Sequence, residues 1–350
     1  MKRVVILCVW LFSVVAGHAQ LSLDECRRLA RENYPEIRQY DLVHQTEQYN
    51  LSNAARAWIP QLAFSAQATW QTDAPNFPKE LTGMLAQQGL EIPGLRKDQY
   101  KVALELNQTI WDGGKSVADK RIARAEAAEQ KTMTDVDLYE LEGRVDDLYF
   151  GILLLDERIA QTNLTQNLLR SNLEKVRALQ RNGVAMQSDA DVLEAELLSV
   201  GQQLIQFESS CDSYRRMLGI FIGQKVGDRK LQRPSAVQPL SGESARPELA
   251  MFAAKIDRLT AQEKMVKSSS MPRLGFFAQG YYGYPGLDYM QSMMNSDWSW
   301  NAMLGVKLSW NFGAYYTQKN NLNKLRTSRQ QVEVQRDVFL FNMNLQAAQE

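Results

Sequence analysis

Trp58-Ile59-Pro60-Gln61-Leu62-Ala63-Phe64-Ser65-Ala66-Gln67-Ala68-Thr69-Trp70 is the stretch that decides the fold of this chain. After Pro60 the even positions Leu62, Phe64, Ala66, Ala68 and Trp70 are apolar, and the odd ones are small or polar. Successive side chains of a β-strand point to opposite faces, so this segment has one greasy face and one wettable face. The chain returns with the same alternation. Tyr100, Val102, Leu104 and Leu106 share one face, and Lys101, Ala103, Glu105 and Asn107 the other.

The pattern then recurs. Leu274, Phe276, Ala278 and Tyr282 share a face, as do Trp298, Trp300, Ala302, Leu304, Val306, Leu308 and Trp310. Opposite the last set lie Ser299, Asn301, Lys307 and Ser309. Pro35 and Pro60 are 25 residues apart, and so are Pro247 and Pro272. In each copy a helical segment leads through proline into a strand, a long polar loop, a second strand, glycine and a helix. One structural unit used twice is the reading.

Alternation alone fits a soluble antiparallel sheet with one buried face as well as a membrane strand. The tryptophans separate the two. Trp58, Trp70, Trp111, Trp298, Trp300 and Trp310 all sit at or near strand ends, joined by Tyr100, Tyr281, Tyr282 and Tyr284. Amphipathic rings collect at the headgroup level, and membrane barrels carry aromatic girdles at both rims. Strands of roughly nine to eleven residues are long enough to cross a bilayer at a tilt. The lipid-free face, with Ser65, Gln67, Thr69, Lys101, Glu105, Asn107, Ser299 and Lys307, is expected to line a water-filled passage. Pro60, Gly113, Gly114, Pro272 and Gly313 are expected to mark the strand–helix corners.

The compartment agrees. Residues 1–19 read as a signal peptide: basic Lys2 and Arg3, an apolar run from Val4 to Val15, and a small-residue cleavage site ending at Ala19. Beyond it no run approaches the length of a transmembrane helix, and a closed barrel is the other backbone solution in lipid. Lys plus Arg equals Asp plus Glu, forty each, and no basic stripe for nucleic acid is present. Cys26 and Cys211 remain in the mature chain, and nothing local demands that they pair.

The rest is helical. From Gly114 to about Gln180 there is no proline, which gives a helix of about 100 Å. Leu141, Val145, Leu148, Ile152, Leu155 and Ile159 form a heptad seam, continued by Thr162, Gln166, Leu169, Leu173 and Val176. A second apolar row of Leu138, Leu154, Leu164 and Leu168 calls for contacts on more than one side. Gly183 ends this helix. Ser188 is expected to open the next, with Asp191 completing a capping box. The turn Gly183-Val184-Ala185-Met186 is the candidate contact with a partner protein. The domain reading is a first repeat over 20–222, with strands at about 61–71 and 99–111 and helices at about 114–181 and 188–222. A linker follows at 223–244. An incomplete second repeat covers 245–350, with a helix at about 245–269, strands at about 272–283 and 297–312, and a helix from about 314.

Enzymatic readings find no support in the sequence. His44 is the one histidine after the leader, and no second His or Cys stands at metal-ligand spacing. Glu140, Glu142, Asp146 and Asp147 read as a solvated helix face. No phosphate loop or nucleophile elbow is present, and no cofactor is expected.

Four strands cannot close a barrel, and open edges are not tolerated in lipid, so the strands must pair with those of other protomers. The chain resembles the TolC-like outer-membrane efflux proteins. The resemblance rests on Trp58-Ile59-Pro60-Gln61-Leu62, on Gln108-Thr109-Ile110-Trp111-Asp112-Gly113-Gly114 and its second copy Trp310-Asn311-Phe312-Gly313, with Ala314 matched to Gly114, and on Gly183-Val184-Ala185 with Asp191-Val192-Leu193. It implies a membrane β-barrel continued by a long α-helical coiled-coil barrel. It also implies a homotrimer whose protomers give four strands each, set in the outer membrane of a Gram-negative-type bacterium and reaching into the periplasm. The implied partners are outer-membrane lipid, a periplasmic adaptor and an inner-membrane pump, in tripartite efflux or type I secretion. The first copy has roughly 109 residues from Gly114 to Ile222, against 37 from Ala314 to the end, so the chain is expected to be truncated at its C-terminus. No gate residues carry over. The alternative reading is a secreted coiled-coil structural protein or adhesin without channel activity.

Overall fold

The computed structural model describes residues 20–89, 92–234 and 246–349. The signal peptide and residues 235–244 of the 223–244 linker fall outside these. In chain order the elements are α1 (Leu23–Asn33), a 3-10 turn (Pro35–Arg38), α2 (Gln39–Arg56), β1 (Gln61–Trp70), α3 (Lys79–Gln87), β2 (Asp98–Trp111), α4 (Lys115–Arg181), α5 (Gln187–Ile222), α6 (Pro247–Ser269), β3 (Arg273–Tyr284), α7 (Tyr289–Met294), β4 (Ser299–Ser309) and α8 (Gly313–Gln349). They divide into two compact units, residues 1–42 with 131–248, and residues 43–130 with 249–350.

The first unit holds the larger apolar core. Ser22 caps α1 through its hydroxyl, which accepts from Glu25 N at 3.2 Å. Cys26 and Ala30 of α1 pack against Leu138, Leu141, Val145, Tyr149 and Ile152 of α4 and Leu218 and Ile222 of α5. The seam of α4 is therefore a core stripe. The second row divides: Leu138 joins that core, whereas Leu154, Leu164 and Leu168 stay exposed. The acidic residues of α4 are not simply solvated. Asp146 takes a forked hydrogen bond from Arg27, at 2.8 and 2.5 Å, and Glu142 lies 3.6 Å from Arg31. Arg215 Nη2 donates to both oxygens of Asp156, at 3.0 and 2.8 Å, while its Nη1 reaches the carbonyls of Gly227 and Arg229. Arg215 thereby ties the segment after α5 onto α4. Cys26 and Cys211 are both free and buried.

The helical turn has well-defined ends. Gly183 is left-handed at φ 73°. Its N–H donates to Gln180 O, and that of Val184 to Leu179 O, the two bonds of a Schellman stop. The next helix begins earlier than Ser188. Asp189 accepts from Met186 N at 2.9 Å, so Met186 is the cap residue and Asp189 the acidic partner. Asp191 instead accepts from the Gln187 side chain.

The second unit carries one antiparallel sheet in the order β1-β2-β3-β4. Leu62 faces Leu106, Phe64 faces Leu104, Ala66 faces Val102 and Ala68 faces Tyr100. On the next ladder Val102 faces Tyr282 and Leu106 faces Ala278, and on the last Tyr282 faces Trp300 and Phe276 faces Val306. The apolar sets of all four strands thus share one face, and the period of two keeps the polar sets on the other.

Tyr149 offers a test of the first unit. Its hydroxyl lies 2.7 Å from Leu21 O and 2.5 Å from Gln232 O, and burial pushes its pKa up to about 12. A raised phenol pKa contributes stability that is complete below the ordinary value of 10 and fades as pH climbs toward about 12. Tyr149→Phe leaves those two carbonyls without this donor and is expected to cost about 1–3 kcal/mol. It should also shrink the alkaline loss of helical circular dichroism between those pH values.

Candidate functional site: an inverted sheet with two aromatic rims

The sheet is inside out relative to a soluble one. On its apolar face Phe64 is 73% exposed, Leu304 74%, Leu62 67% and Leu308 67%. On its polar face Ala103 and Tyr281 are buried and Lys101 and Glu105 half-buried. In water this arrangement would expose the surface whose burial drives folding. In hydrocarbon it is the stable one. This exposure runs against the soluble-sheet reading, in which that face would form the core.

The six tryptophans divide between the two ends. Trp70, Trp298 and Trp300 stand at the end that carries the 71–97 and 285–298 loops. Trp298 stacks on Tyr100 at 5.7 Å between ring centroids, and Tyr282 contacts Trp298 at 5.3 Å and Trp300 at 5.0 Å. Trp58, Trp111 and Trp310 stand at the helix end. There Trp58 Nε1 donates to Ser116 Oγ at 3.1 Å, and Trp310 Nε1 donates to Ser270 O at 3.0 Å. Trp111 reaches the apolar face only through a bulge. Up to Thr109 the register pairs odd residues of β2 with the polar face, but Trp111 stands opposite Leu274. The extra residue re-aims the ring toward the apolar side.

The corners are built from the expected residues, though not all in the expected way. Gly113 and Gly114 are left-handed, at φ 69° and 84°. A Cβ on Gly113 would stand 2.6 Å from Met271 Cβ. Asp112 caps the long helix, accepting from Gly114 N at 2.9 Å and Ser116 N at 2.7 Å. Burial raises the Asp112 pKa, but the hydrogen bonds from Ser116 and Gly114 outweigh it and hold the carboxyl below its ordinary value. In the second copy Asn311 accepts from Gly313 N at 3.1 Å. Asn311 therefore matches Asp112 and Gly313 matches Gly114. The match of Ala314 to Gly114 is corrected by this bonding, and Phe312 stands where the first copy has Gly113. Gly313 opens α8 and does not take a left-handed conformation.

On the polar face the structure gathers Ser65, Gln67, Thr69, Lys101, Glu105, Asn107, Ser299 and Lys307, as the alternation predicts. Gln279 and Tyr281 of β3 join them on that face. Gln279 bridges two of those named: Lys101 Nζ donates to its oxygen at 2.9 Å, and its nitrogen donates to Glu105. Lys101 also lies 4.5 Å from the centroid of the Tyr281 ring. The odd numbering of Gln279 and Tyr281, continued from the even-numbered apolar set of β3, was the signal available. At the helical turn Val184 and Met186 are each 73% exposed. Among the described residues no helix is long and apolar enough to cross a membrane, and no group of three His, Cys, Asp or Glu is placed to hold a metal.

The sequence model of the outer membrane efflux protein family matches residues 27–223, and the chain belongs to that family. Solved structures share its fold. The outer membrane protein VceC of Vibrio cholerae is 14% identical with a TM-score of 0.66, over 91% of this chain and 75% of that one. The outer-membrane channel OprN is 13% identical with a TM-score of 0.65, over 91% and 71%. The CmeC outer membrane channel of Campylobacter jejuni is 14% identical with a TM-score of 0.62, over 91% and 68%. No protein of curated function matches the chain significantly. The protein is an outer-membrane efflux channel component with a TolC-like fold, combining a membrane β-barrel with a helical barrel. It resides in the outer membrane and extends into the periplasm.

Two tests follow from the inverted sheet and its corner. Leu104 lies midway along β2 on the apolar face, 55% exposed. Leu104→Arg is expected to cost about 2–4 kcal/mol in lipid and to deplete the protein from the outer-membrane fraction, whereas Gln67→Arg on the polar face leaves it there. At the corner, Gly113→Ala adds a clash with Met271 to the left-handed strain of about 1–2 kcal/mol, whereas Gly114→Ala meets open space and carries the strain alone. Thermal melting in detergent should rank the two variants in that order.

Proposed function

We propose that the chain is the outer-membrane conduit of a tripartite efflux or type I secretion system, working as a homotrimer that exports small molecules or proteins. The outward apolar face of the sheet is the observation that carries this reading. A sheet of this kind is stable only with lipid on one side and water on the other. Its edges, β1 and β4, run antiparallel to one another in the order β1-β2-β3-β4. The β4 edge of one protomer can therefore continue the ladder with β1 of the next. Repeated head-to-tail contacts of that type close into a ring. Three protomers supply enough strands for a lumen wider than one filled by side chains.

Within this reading the polar face lines the lumen, and the six tryptophans sit at the two headgroup levels. The turn Gly183-Val184-Ala185-Met186 contacts the periplasmic adaptor, which in turn engages an inner-membrane pump. The exposed Val184 and Met186 support that assignment, because these apolar side chains at a helical tip are left uncovered by the described residues. The chain acts as a passage and carries out no chemistry on its cargo.

Two measurements test it. Chemical cross-linking in detergent should trap a trimer, and the protein should remain with the outer membrane after a carbonate wash. A detergent-independent monomer in solution would overturn the proposal. For the tip, a cysteine replacing Val184 should form a disulfide with a cysteine-bearing adaptor in intact cells; absence of any link removes the tip from the interface while leaving the channel standing.

A further inference from the structure

The charges on the polar face of the sheet are unevenly compensated. The charged side chains there are Lys101 and Glu105 on β2, Arg273 on β3 and Lys307 on β4. Lys101 and Glu105 offset one another through Gln279. The other charge on the strands, Asp98, is paired with Arg96 at the loop end. Arg273 and Lys307 have no hydrogen bond or ion pair among the described residues. Arg273 faces Ser309 across the ladder and Lys307 faces Gly275, partners that bring neither charge nor bulk. Both cations are exposed. They occupy neighbouring rows on adjacent strands, at the helix end of the sheet. Asp112, the carboxylate that follows β2 at that end, is already committed to the N–H groups of Gly114 and Ser116.

We propose that Arg273 and Lys307 form a cationic ring on the channel wall that favours the passage of anionic solutes. The inference rests on the trimeric channel proposed above, which repeats the pair around the lumen. A charge on a wall backed by lipid faces a medium that screens it poorly, so its field is directed into the water-filled passage. Rings of Arg and Lys select anions in pores for this reason. Lys101 contributes less, because Gln279 and the neighbouring Glu105 leave little net charge at that height. The two free cations are thus the specificity-determining residues of the described barrel wall.

Planar-bilayer recording of the purified full chain across a KCl gradient tests this. The wild type is expected to reverse toward the chloride potential. Arg273→Gln with Lys307→Gln should move the reversal potential toward potassium, with a several-fold fall in the chloride-to-potassium permeability ratio. Arg273→Lys with Lys307→Arg should leave it in place. All four substitutions keep a polar side chain on a water-facing surface, and trimer formation on gels verifies that the variants assemble. An unchanged reversal potential in the double Gln variant overturns the ring, as does an equal shift from Lys101→Gln with Glu105→Gln, which removes the offset pair together. Trimers that insert but never conduct would overturn the channel reading itself, and the ring with it.

Discussion

A peptide group that faces hydrocarbon must find its hydrogen bond inside the protein, and this constraint governs the rest of the structure. β2 and β3 satisfy it, since each is paired on both sides. β1 and β4 satisfy it on one side alone. The side chains make the same demand from another direction. Phe64, Leu304 and Trp300 are exposed on the face where a soluble protein would place its core. A sheet that is apolar outward and open at both edges is a segment of a larger cylinder. The proposed ring of protomers pairs the open edges, and lipid covers the apolar face.

The helix ends show how a chain leaves such a sheet. Four N–H groups at a helix start lack intrahelical partners, and near lipid water cannot be relied on to supply them. In the first copy Asp112 takes two of them, those of Gly114 and Ser116. In the second, Asn311 takes only that of Gly313. Aspartate and asparagine are close in shape, so the same cap is kept with and without the charge. What differs is the residue after it. Gly113 approaches Met271 so closely that a Cβ cannot fit, whereas Phe312 is exposed and its ring lies tilted against Trp310 at 4.6 Å between centroids. The repeat preserves the cap and varies its surroundings.

Much of this was legible in the sequence, because the deciding patterns are local. Alternation over Leu62–Trp70 and Tyr100–Asn107 fixes which side chains share a face, whatever lies around them. The long helix and its Gly183 stop follow from the absence of proline and from one left-handed residue. The misreadings arose where a local signal had a competitor. Ser188 and Asp191 have the spacing of a capping box, but Met186 and Asp189 have it too, and the backbone bond at Met186 decides between them. Glu142 and Asp146 looked solvated because Arg27 and Arg31 lie more than a hundred positions away. The role of Gln279 depends on register across β2 and β3, which no single strand displays. The same register reveals Arg273 and Lys307 as neighbours.

The helices repeat the lesson of the sheet in water. Leu164 and Leu168 on α4, Leu198 and Ile205 on α5, and Val334 and Phe341 on α8 are all exposed. Each lies on a helix whose other face is packed or polar, and none is covered by the described residues. Exposed apolar rows of this extent oppose solubility unless another surface meets them. In lipid an uncovered apolar face is at rest, so the strands need partners for their backbone edges. In water the backbone of a helix is already satisfied, so the helices need partners for their side chains. Two different deficits, set by two different solvents, would both be relieved by the association of identical chains proposed above, in a single symmetric assembly.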